Sequence, residues 1–154
     1  MWMQGESDAY VQELAPQYQE LEKRLVNTVR SAFGSRDADN TIRFVDGAIA
    51  QYKPGINIWT HSDTINKAKT ANCALWYVPV DTTGNVISKT TPGIYTSTSG
   101  APLSDSIWVD TSTCISKLEN NNENGENDGY HYSGDSMLKL GIWFGQAATY
   151  DFVS

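Results

Sequence analysis

Short apolar runs that alternate with stretches of helical apolar spacing constrain this chain more than any other feature. Met1-Trp2-Met3, followed at once by polar Gln4-Gly5-Glu6-Ser7-Asp8, reads as the carboxyl end of a buried strand. Over residues 10–33 the apolar residues Val11, Leu14, Tyr18, Leu21, Leu25, Val29 and Phe33 recur at steps of three or four. That spacing predicts an amphipathic helix with this stripe inward and Glu20, Glu22, Lys23, Arg24 and Arg30 mostly outside it. Pro16 marks its start or a kink, and Gly34 its stop. A strand is predicted over 41–46, then a helix over 62–75 capped by Ser62 or Asp63, with Ile65, Ala68 and Leu75 inward. Ile107-Trp108-Val109 reads as another buried strand, and a last helix capped by Ser133 has Met137, Leu140 and Phe144 on one face. Strand, helix, strand, helix, strand, helix implies α/β architecture: a parallel sheet flanked by helices, since parallel neighbours need long crossovers. Residues 76–91 break the pattern and read as a hairpin insertion, with a turn at Asp81-Thr82-Thr83-Gly84; 90–104 reads as loop.

Composition narrows the partners. The chain has 154 residues, enough for one compact domain, with 11 basic against 18 acidic side chains and a net charge of −7. Binding to a nucleic-acid phosphate backbone needs a clustered basic surface, so no nucleic-acid partner is expected. No window approaches the run of about 20 apolar residues that spans a bilayer, and no signal peptide is visible, so no membrane partner is expected either. Cys73 and Cys114 lack metal-ligand spacing and read as two free buried thiols, with a single disulfide as the alternative. Residues 119–129 are acidic and amide-rich, and read as surface loop. Asn120, Asn122, Asn124 and Gly125 mimic half of a calcium loop, yet the twelfth position is His131 instead of Glu, so no metal and no cofactor is expected.

In a parallel α/β sheet, reacting groups sit where strands end and helices begin. Gln4-Gly5-Glu6-Ser7-Asp8 and Asp128-Gly129-Tyr130-His131 occupy such places. An Asp three residues before a His, with Gly between them, lets the carboxylate accept the imidazole Nδ1–H while Nε2 faces a cleft. That pairing raises the basicity of the ring, as a general base serving a hydroxyl nucleophile requires. On spacing alone, the reading to prefer is the plainer one, a surface Asp beside a solvated or helix-capping His.

Together the two blocks resemble a known family. Trp2-Met3-Gln4-Gly5-Glu6-Ser7-Asp8 is similar to the Trp-x-Gln-Gly-Glu-x-Asp block of the SGNH (GDSL-like) carbohydrate esterases of the sialate O-acetylesterase and acetylxylan esterase type. Asp128-Gly129-Tyr130-His131 resembles that family's terminal Asp-x-x-His block, with intermediate matches at Ile65-Asn66-Lys67-Ala68-Lys69 and Val109-Asp110-Thr111. The resemblance implies a flavodoxin-like strand order and hydrolysis of acetyl esters on sugars by a Ser-His-Asp mechanism. It makes His131 the general base and Asp128 its orienting carboxylate, with Gln4 and Gly5 at the oxyanion and substrate. Glu6 is either an alternative triad acid or a structural anchor for that turn, and Trp2 reads as core. A secreted or periplasmic location and an acetylated carbohydrate substrate are implied with it.

One departure matters. The family's nucleophilic serine lies in a Gly-Gln-Ser or Gly-Asp-Ser block after the first strand, and no such block precedes Trp2 here. Gly134-Asp135-Ser136 spells the motif but falls at a helix start just past His131, and Ser7 lies in the wrong block; neither is assigned as nucleophile. The expectation is a carboxyl-terminal portion, residues 1–154, of an esterase domain lacking its first strands. Such a chain would be inactive alone and completed by an amino-terminal half or complementary chain. The alternative is a non-catalytic carbohydrate-binding or surface module on a degenerate scaffold, supported by five Trp and eight Tyr that could stack on sugar rings.

Overall fold

The computed structural model describes residues 1–34, 42–49, 59–77, 102–109 and 134–149. In chain order the elements are helix α1 (Glu6–Tyr10), a 3₁₀ turn (Ala15–Gln17), helix α2 (Tyr18–Phe33), strand β1 (Phe44–Gly47), helix α3 (Ser62–Asn72), strand β2 (Cys73–Tyr77), strand β3 (Leu103–Val109) and helix α4 (Gly134–Ala148). The three strands form a parallel sheet in the order β1-β3-β2. Met1-Trp2-Met3 meets its free edge: the Trp2 N–H donates to the Val45 carbonyl at 2.7 Å and the Gly47 N–H to the Trp2 carbonyl at 3.0 Å. This is the α/β fold expected, a parallel sheet with helices packed on it.

Side chains alternate across the sheet with period two, as a strand requires. Val45, Ile107 and Val109 face Leu140, Trp143, Phe144 and Ala147 of α4. Phe44, Cys73 and Trp108 face the other way, against Val26 of α2. Both faces are therefore covered, the usual setting of a parallel sheet. Gly47 permits the close approach of α4, because a Cβ there would lie 2.4 Å from Phe144 Cζ. Arg43 braces the sheet end, donating to Asp105 Oδ1 at 2.8 Å and to the Ala148 carbonyl at 2.9 Å.

Several boundaries differ from the sequence reading. The predicted helix over 10–33 divides at Pro16, which lies in the 3₁₀ turn, so α2 begins only at Tyr18. Its buried face is Tyr18, Glu22 and Val26, whereas Leu14, Leu21, Leu25, Val29 and Phe33 are at least 38 % exposed. The apolar stripe is rotated off the packed face because α2 docks against α3, whose buried polar groups claim Glu22. The helix expected over 62–75 ends at Asn72, and Leu75 belongs to β2. Its N-cap residue is His61, with no side-chain cap bond from Ser62 or Asp63. Trp76 and Tyr77, read as the start of a hairpin, lie in β2 and pair in parallel with Trp108 and Val109; residues 78–91 lie outside the described residues. On α4 the buried face is Ser136, Leu140, Trp143, Phe144 and Ala147, and Met137 is exposed.

Cys73 is a free, buried thiol. Burial, with Asp46 and Glu22 nearby, pushes its pKa well up, so the reactive thiolate is scarce at neutral pH. Iodoacetamide should leave Cys73 unmodified in the folded chain and modify it fully in denaturant, as read by peptide mass mapping. Cys114 lies outside the described residues.

Candidate functional site

The turn after Met3 is built by Gly5. Its φ of 135° belongs to the region that L side chains rarely adopt, and a Cβ there would sit 2.7 Å from Ile65 Cγ2. The chain thus reverses into α1 while pressed against α3, and Gln4 is left half-buried at the bend. The Gln4 main-chain carbonyl accepts from the Tyr18 hydroxyl at 2.8 Å, and its side-chain Nε2 donates to Asp8 Oδ2 at 3.2 Å. Tyr18 also accepts from Trp2 Nε1 at 3.1 Å, so one buried phenol ties together the edge segment, the turn and α2. Burial, with Glu22 and Asp46 close by, pushes the Tyr18 phenol far up, which keeps it a protonated donor to Gln4.

Beneath the turn lies a buried ionic cluster. Lys69 of α3 is fully buried and places Nζ 2.6 Å from Asp46 Oδ1 of β1 and 3.8 Å from Glu22 Oε1 of α2. The same ammonium lies 5.5 Å from the centre of the Tyr18 ring, within cation–π range. Asn72 Nδ2 donates to Glu22 Oε2 and to the Gln19 carbonyl, both at 2.9 Å. Two carboxylates thus share one ammonium. Burial pushes the Asp46 carboxyl well above the ordinary range and Glu22 adds to it, while Lys69 pulls it back. One helical turn earlier, Asn66 brackets Ile49, accepting from its N–H at 2.9 Å and donating to its carbonyl at 3.0 Å. The segment after β1 is thereby fastened to α3.

Of the residues expected at the site, Gln4 and Gly5 form the turn as described. Glu6 opens α1 half-buried, and no hydrogen bond to its carboxylate occurs among the described residues; Tyr18 and Asp8 anchor the turn instead. Ser7 is exposed on α1, and Ser136 is buried in the first turn of α4. Trp2 is half-buried and packs beside Phe44, Trp108 and Val26. Asp128 and His131 lie outside the described residues, as does the loop over 119–129. Among the described residues no group of three potential ligands gathers to hold a metal ion.

Sequence reading missed Tyr18, Asp46, Lys69 and Asn72 as supports of the turn. A signal for two of them was present: Ile65, Ala68, Lys69 and Asn72 share one helical face, so an inward Ile and Ala carry a Lys and an Asn with them.

A parallel sheet with helices on both faces, and an edge segment that ends in a clamped Gln-Gly turn, define this chain as an α/β protein. Residues 1–102 match the family model described as a carbohydrate esterase, sialic acid-specific acetylesterase, and the chain belongs to that family. The match includes the Gln4 turn, α3 with Lys69, and β2. It supports carbohydrate esterase activity in general. No match was found among curated proteins or solved structures.

Proposed function

We propose that this chain serves the hydrolysis of acetyl esters on sugars by a serine mechanism. A serine Oγ, supplied from outside this sequence, attacks the acetyl carbonyl while His131, oriented by Asp128, takes its proton. Gln4 donates a hydrogen bond to the oxyanion of the tetrahedral intermediate. Collapse breaks the bond between the acetyl carbon and the sugar oxygen, which takes the proton from His131 and leaves as a hydroxyl. Water, deprotonated by His131, then attacks the acetyl-serine left behind, and acetate departs as the serine Oγ recovers that proton. The observation that carries this reading is the Gln4 turn: a neutral amide fixed by Tyr18 and Asp8 at the end of an edge segment, within the block matched to the esterase family. A neutral donor adds no charge to the site and meets the negative charge only as it develops.

The test is turnover of p-nitrophenyl acetate and acetylated sugars by the chain combined with a segment carrying the serine block. His131→Ala should lower kcat by about 10³-fold or more, and Gln4→Ala by about 10²-fold, with circular dichroism unchanged. Glycan binding with no hydrolysis in the completed protein would overturn the esterase reading in favour of a binding module.

A further inference from the structure

Gln4 is gripped at both of its polar ends, and the two grips do different things. Tyr18 holds the main-chain carbonyl and so fixes where the residue sits. Asp8, four residues on and brought back by the Gly5 turn, holds the side-chain amide. A glutamine amide has a donor end and an acceptor end of nearly the same shape, and rotation about its last torsion exchanges them at little cost. An ionised carboxylate only accepts. It therefore favours the rotamer that turns NH₂ toward it and repels the one that turns the carbonyl toward it. The NH₂ group carries two hydrogens, Asp8 takes one, and one remains. Gln4, Asp8 and Tyr18 also line the same cleft of about 150 Å³, walled by Trp2 and Leu21, so the pair borders open space instead of closing on a packed core.

We propose that Asp8 is a positioning residue: by accepting one hydrogen from Gln4 Nε2 it selects the amide rotamer that leaves the second N–H for an oxyanion. The proposal rests on the oxyanion role proposed for Gln4. Its geometric half stands apart from catalysis, because the rotamer is held in the chain whether or not substrate is present.

Two measurements separate the halves. In the ¹⁵N-labelled chain the Gln4 side-chain resonances are identified by their loss in Gln4→Ala. The two amide protons should be widely split, with one slow to exchange with solvent, and Asp8→Ala should collapse them to an ordinary glutamine pair. Asp8→Asn, which keeps a neutral acceptor in the same place, should preserve part of the splitting. Asp8→Leu, of similar shape without an acceptor, serves as the second loss variant should Asp8→Ala not fold. Identical resonances in the wild type and the loss variant overturn the proposal. In the completed esterase, Asp8→Ala should lower kcat about tenfold with KM changed less than about twofold, and Asp8→Asn should recover to within about threefold, since misaimed groups lose rate more than affinity. An unchanged kcat in Asp8→Ala beside a slowed Gln4→Ala overturns the positioning role alone; an unchanged kcat in Gln4→Ala overturns the oxyanion reading instead.

Discussion

Lys69→Ala is expected to destabilise the chain by about 3–5 kcal/mol, the range for removing one partner of a buried ion pair. Lys69 is the shared counter-ion of Asp46 and Glu22, and all three are buried. Without it two carboxylates face each other with no cation, and Asp46 must bind a proton to remain inside. The effect should reach the turn as well, because the ammonium packs over the Tyr18 ring and Tyr18 holds the Gln4 carbonyl. Urea unfolding measures the loss of stability, and the Gln4 amide resonances report the displacement. Lys69→Met combined with Asp46→Asn and Glu22→Gln should recover most of the stability, since a buried pair replaced whole costs far less than one broken in half. A single Lys69→Ala variant as stable as the wild type would show that the cluster is solvated in solution.

Gly5→Ala is expected to cost about 3 kcal/mol, from strain of roughly 1–3 kcal/mol at a positive φ together with overpacking of similar size. The added methyl would meet Ile65 Cγ2 at 2.7 Å and the Tyr18 ring at 3.3 Å. Neither neighbour can yield easily, because Ile65 is fully buried in α3 and Tyr18 is held by bonds to Trp2 and Gln4. The turn must therefore move, carrying the Gln4 amide with it. Thermal unfolding measures the first consequence. Loss of the wide splitting between the Gln4 amide protons measures the second, and a variant that keeps both the wild-type midpoint and that splitting would refute the account.

The parallel α/β architecture was legible because its signal is local: apolar runs too short for helices, separated by stretches with helical spacing. The Gln4-Gly5 turn was legible for the same reason, in a compact block whose glycine the backbone requires. Element ends were less so. Cys73, Ala74 and Leu75 continue a helical apolar pattern in sequence, yet they extend as β2 because pairing with β3 satisfies their backbone groups in the sheet. Likewise the stripe of Leu21, Leu25 and Val29 is the more apolar face of α2 by composition, yet the face that docks is Tyr18, Glu22 and Val26.

By itself the sequence determined that helices alternate with strands of a parallel sheet and what chemistry is available at the head of the chain; it did not mark β2, whose residues read as a helix end and a hairpin start. Only the tertiary structure decided which helix faces turn inward and which charges meet. Periodicity reports a property of one element, whereas burial of Lys69 against Asp46 and Glu22 is a relation between three elements 23 or more residues apart in the chain. A charge on a helix looks solvated until its counter-charges arrive from elsewhere, and that arrival is set by the packing of α2, α3 and β1 together.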